Sequence, residues 1–175
     1  MTQSLQERAT RANARTAGAA TAIVIVVVAV QAILRAVIAV FSTIAYTATE
    51  QSYLRDVFTP VGSLGVEFAT SVLPVAIGVF LTFWLLLPLA ADLRIAGVAV
   101  RSLAAAGVGA ALALVFTALY SGSSLLFGAQ SLGYALFGTV QSALYTFVAV
   151  TPVVLLAGFL AWLWISKDRP AASAA

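Results

Sequence analysis

The chain has 175 residues, 62% of them hydrophobic and only 9% charged, with a net charge of +3. It holds no cysteine, no histidine and a single methionine, Met1. Disulfides, Cys/His zinc sites, His- or Cys-ligated haem and any catalytic triad that needs histidine are therefore excluded, and no cofactor or metal is expected. The basic pI of about 9.7 does not imply nucleic acid. The basic residues are spread along the flanks of apolar runs rather than gathered in one patch.

Four apolar runs organise the chain, at about 21–46, 67–90, 96–120 and 139–165. Each reaches the roughly 20 residues needed to cross a ~30 Å hydrocarbon layer at ~1.5 Å per residue. The expected fold is an all-α integral membrane protein, a four-transmembrane-helix bundle. Residues 1–17 form an N-terminal arm, 18–166 the transmembrane domain and 167–175 a short tail.

Charge sets the expected orientation. Arg8, Arg11 and Arg15 precede the first run, Arg94 and Arg101 flank the turn after the second, and Lys167 and Arg169 follow the fourth. The alternate segments hold Glu50, Arg55 and Asp56, or no charge at all. By the positive-inside rule both termini are cytoplasmic and the two longer loops face outward. A lone lysine among eight arginines, with abundant alanine and valine, points to a bacterial plasma (inner) membrane of a high-GC organism. A cleaved signal peptide ending near Ala32 is the rival reading of the N-terminus. The apolar run continues to Tyr46, which favours an anchored helix. Tyr46, Tyr120, Trp162 and Trp164 sit where interfacial aromatic belts belong.

In the first loop, Thr47 and Glu50 have capping-box spacing, and Tyr53, Leu54, Val57, Phe58 and Val61 recur at helical spacing. This predicts a short amphipathic helix on the outer surface, ended by Thr59-Pro60 and Gly62. Segment 121–138 is uncharged and glycine-rich, suited to a re-entrant piece or to an extension of the fourth helix. Pro74 and Pro88 fall in the second run and Pro152 in the fourth, where each should bend its helix. Pro74–Trp84 and Pro152–Trp162 share a ten-residue spacing, as two copies of one duplicated hairpin would, although so few shared residues do not establish a repeat. In the third run, Ser102/Ala106/Ala110 and Ala105/Gly109/Ala113/Thr117 form two small-residue ridges. Such ridges let helices approach closely, either inside the bundle or against a second membrane chain.

Arg35 is the one charge well inside a run, about 21 Å along the helix from Thr21. Gln31, Arg35, Ser42 and Tyr46 share its helical face. A guanidinium there needs an acceptor, and Glu67 is the only carboxylate placed to help. Gln141 and Tyr145 lie at similar depth on the fourth run. Together Gln31, Arg35, Ser42, Glu67, Gln141 and Tyr145 define either a polar cavity opening outward or an ion pair pinning the first helix to the second.

No intramembrane carboxylate series supports a proton-driven pump, and no acid, base and nucleophile converge. The chain is expected to be non-enzymatic, its partners the lipid bilayer and another membrane protein or a second copy. The first expectation is an accessory or assembly subunit of a larger membrane complex. The alternative is a small transporter or channel whose cavity around Arg35 takes an anionic or zwitterionic solute or lipid headgroup.

Overall fold

The computed structural model describes residues 11–47, 59–126 and 132–167. Among them every residue outside the turn at 87–94 is helical and none is in a strand. Helix α1 runs Arg11–Thr47, α3 Ile95–Leu126 and α4 Leu132–Lys167. Helix α2 is continuous but changes pitch: α-helical over Thr59–Glu67, π-helical over Phe68–Val72, α-helical over Leu73–Leu81 and π-helical over Thr82–Leu86. With no water in hydrocarbon to pair their amides, long helices are the form such apolar runs must take.

Four helical stretches are long and apolar enough to cross a membrane: Arg11–Ala45, Val61–Leu86, Ile95–Gly122 and Phe137–Lys167. The protein is a multi-pass membrane helix bundle. Successive helices alternate in direction, so one end carries Arg11, the 87–94 turn and Lys167, and the other carries Thr47, Thr59, Leu126 and Leu132. These are the terminal end and the loop end.

The second span lies earlier in the chain than the 67–90 expected. Thr59-Pro60 does not end a helix but begins one, and Gly62 lies inside it. Proline is tolerated in a first helical turn, where its missing N–H would find no partner anyway. The rest of the predicted loop helix, 48–58, lies outside the described residues. At the other end Pro88 does not bend the helix; it stops it. Leu87, the residue before it, leaves helical geometry at φ −137°, ψ 67°, the helical region being disfavoured by the following proline ring. Segment 121–138 continues α3 to Leu126 and opens α4 at Leu132, with 127–131 outside the described residues.

Pro74 acts differently again. Its ring would clash with the carbonyl one turn earlier, and the turn directly before it is the wider π form. There the Leu73 N–H donates to the Phe68 carbonyl, five residues back. The second π turn closes with the Leu87 N–H on the Thr82 carbonyl at 2.7 Å. Pro152, by contrast, is exposed within an unbroken α4. The two prolines thus do different jobs, although Trp84 and Trp162 both pack on the same core. Trp164 is exposed, and Trp162 is partly buried against the core.

The core gathers Val24, Val75, Val79, Phe83, Val98 and Val154 around buried alanines of α3 and α4. In lipid this packing rests on dispersion and close approach, not on the exclusion of water. Both small-residue ridges of α3 are used here: Ser102, Ala105, Ala106, Gly109, Ala110 and Ala113 are all buried within the monomer, and Thr117 is half-buried. α2 and α3 cross at Gly78 and Gly109, where a Cβ on Gly78 would lie 2.6 Å from the Gly109 Cα. α3 and α4 meet at Ser102 and Gly158, where a Cβ on Gly158 would lie 2.1 Å from the Ser102 Oγ.

That second crossing yields a paired prediction. Gly158→Ala should destabilise the bundle by up to about 2 kcal/mol, the ~1–3 kcal/mol typical of overpacking less the ~1 kcal/mol gained in helix preference. Ser102→Ala in the same chain should recover most of it, since the residual contact to the Ser102 Cβ is 3.3 Å. The Ser102 hydroxyl is buried with no hydrogen-bond partner, so its removal forfeits little. Thermal unfolding in detergent reads both changes; equal loss in the single and double variants would contradict this contact.

Candidate functional site

Toward the loop end, α1, α2 and α4 separate around a cavity of about 330 Å³. α1 contributes Val28, Gln31 and Arg35, one helical face at three- and four-residue spacing. α2 contributes Glu67, Ser71, Val72 and Val75. Ser71 and Val72 belong to the π turn before Pro74, so the altered pitch falls where α2 lines the cavity. α4 contributes Ser142, Tyr145, Thr146, Ala149 and Val150. As α1 numbers rise along the lining, α2 and α4 numbers fall, in keeping with the alternating topology.

Arg35 and Glu67 meet across this space, Arg35 Nη2 lying 2.7 Å from Glu67 Oε1. The Arg35 Nε–H also donates to the Gln31 carbonyl at 3.4 Å. The guanidinium is thereby tethered to its own helix and paired with α2. Glu67 is six residues inside the second span, about 9 Å along its axis, not at the helix start as expected. Both residues therefore fall within the stretches of their helices that are long and apolar enough to cross a membrane. Its side chains keep 48% and 32% of their surface, so the pair is reachable from the cavity rather than sealed.

Of the six expected residues, Gln31, Arg35, Glu67 and Tyr145 line the cavity. Ser42 and Gln141 do not. Ser42 is exposed, with its hydroxyl donating to the Ala39 carbonyl at 2.8 Å, and Gln141 is exposed one turn beyond Tyr145. Ser71, Ser142 and Thr146 complete the polar lining. Ser71 stands four residues after Glu67 and Ser142 three before Tyr145, spacings that place each beside a residue already singled out.

Chemically the site is a charge-balanced pair ringed by hydroxyl and amide groups, with apolar walls from Val28, Val72, Val75 and Val150. It can accept an anion at the guanidinium, a cation at the carboxylate, or both at once. Among the described residues no three potential metal ligands gather. No family model, no curated protein and no solved structure matches the chain.

Proposed function

We propose that this protein is a small, non-enzymatic carrier of the bacterial plasma membrane that binds a zwitterionic or anionic group in the cavity around Arg35. The single observation carrying this reading is the Arg35–Glu67 pair inside a polar cavity within the apolar spans. Ionisable groups at such depth are costly and characteristically mark binding or transport paths. With both termini cytoplasmic, as the charge distribution favours, the loop end and the cavity face outward.

The accessory-subunit reading loses one support, because the α3 ridges pack inside the monomer. It retains another: α1 is the least buried of the four spans, with Val26, Ile33, Ile38 and Phe41 exposed. A partner helix could cover that face, as lipid can.

The discriminating experiment follows two labelled probes in proteoliposomes, uptake of phosphoethanolamine and leaflet-to-leaflet transfer of phosphatidylethanolamine. The variant Arg35→Ala/Glu67→Ala removes both charges together, leaves no orphan ion and should stay folded. Wild-type protein is expected to move at least one of the two probes and the double variant to fall to the protein-free background for both. Equal movement of both probes by the two proteins would sink the carrier reading.

A further inference from the structure

The cavity does not end at the ion pair. A second depression of about 350 Å³ opens sideways between α1 and α4, lined by Gln31, Leu34, Arg35, Ile38, Tyr145 and Ala149. Gln31, Arg35, Tyr145 and Ala149 line both spaces, so polar site and lateral cleft share a wall. Leu34 and Ile38 are 55% and 66% exposed, which gives the cleft an apolar outer lip on a face turned to lipid. A ligand resting on both would be polar at one end and hydrocarbon at the other.

From this continuity we infer that the ligand is a phospholipid with an ammonium-bearing headgroup, its head in the cavity and its acyl chain in the α1–α4 cleft. This deepens the carrier reading and rests on it. Charge complementarity selects the headgroup. The empty site is already neutral, Arg35 against Glu67. A phosphate can replace the carboxylate at Arg35 only if Glu67 gains another cation, and the ammonium of the same headgroup supplies it. A purely anionic headgroup leaves Glu67 unpaired beside a phosphate, in surroundings where repulsion is weakly screened. The cleft selects the lipid over the free headgroup, because Leu34 and Ile38 offer apolar contact that a water-soluble phosphoester cannot use.

The test is native mass spectrometry of the purified full chain with equimolar phosphatidylethanolamine and phosphatidylglycerol, and separately with soluble glycerophosphoethanolamine. Wild-type protein is expected to retain phosphatidylethanolamine at least about tenfold over phosphatidylglycerol, and the soluble headgroup far more weakly. Glu67→Gln keeps the shape of the side chain and removes its charge; it should abolish that preference and admit phosphatidylglycerol. Arg35→Ala should lose both lipids from the site. Equal retention of the two lipids by wild-type protein, or an unchanged preference in Glu67→Gln, overturns the inference. Tight binding of the soluble headgroup without acyl chains overturns it as well, but leaves the carrier reading standing. Retention of none of the three ligands removes both.

Discussion

Gly78→Ala should destabilise the bundle, whereas the same change at Gly65 should stabilise it slightly. Both glycines lie in α-helical stretches of α2, so both substitutions gain about 1 kcal/mol of intrinsic helix preference. At Gly65 nothing lies within 4 Å of the new Cβ, and the gain survives. At Gly78 the Cβ would meet the Cα of Gly109 at 2.6 Å and its backbone nitrogen at 2.7 Å. Those are backbone atoms of a packed helix and cannot swing aside, so α2 and α3 must separate. Separation loosens contacts along Val75, Val79, Ala105 and Ala113 at once. The net loss should be at the upper end of the ~1–3 kcal/mol typical of overpacking, or beyond it. Thermal unfolding of the two variants side by side reads the difference in sign. Equal stability would mean that α2 and α3 do not cross at these glycines.

Reversing one charge of the Arg35–Glu67 pair should be destabilising, and reversing both should restore most of the loss. Arg35→Glu places two carboxylates together inside the spans, and Glu67→Arg places two guanidiniums there. Breaking a fully buried pair costs about 3–5 kcal/mol; partial exposure to the cavity lowers the expectation to about 1–3 kcal/mol for each single change. The doubly reversed chain recovers an attractive contact with the helices in place. A double-mutant cycle isolates this coupling from the separate costs of each side chain. Additive losses would show that the two residues do not meet.

Much of the architecture was legible because lipid permits few solutions. Four apolar runs of sufficient length can only be helices, and a lone arginine within one must find a partner. Arg35, Glu67, Gln31 and Tyr145 could be picked out on depth and helical face alone. What escaped depended on the two ends of each proline's effect. Pro60 reads locally as a stop but sits in a first turn, where it is harmless; Pro88 reads as a bend but ends the helix through Leu87. The start of α2 at Thr59 in turn moves Glu67 from the edge of its span into the interior. Ser71 was missed because the π turn that carries it, directly before Pro74, leaves no periodicity of its own in the sequence. The α3 ridges were readable as packing surfaces, but nothing in their spacing says which neighbour they meet. Only the crossings with Gly78 and Gly158 assign them to the monomer.

The chain has no native cysteine, which makes the cavity directly accessible to experiment. Ser71→Cys and Ser142→Cys are nearly isosteric changes in its lining, and Ala157→Cys is a fully buried control in the core. Intact cells carrying each variant should be treated with a charged, membrane-impermeant maleimide. The account predicts labelling at both lining positions and none at Ala157→Cys. Lining cysteines as unreactive as the one at position 157 would contradict a solvated, outward-facing cavity around Arg35.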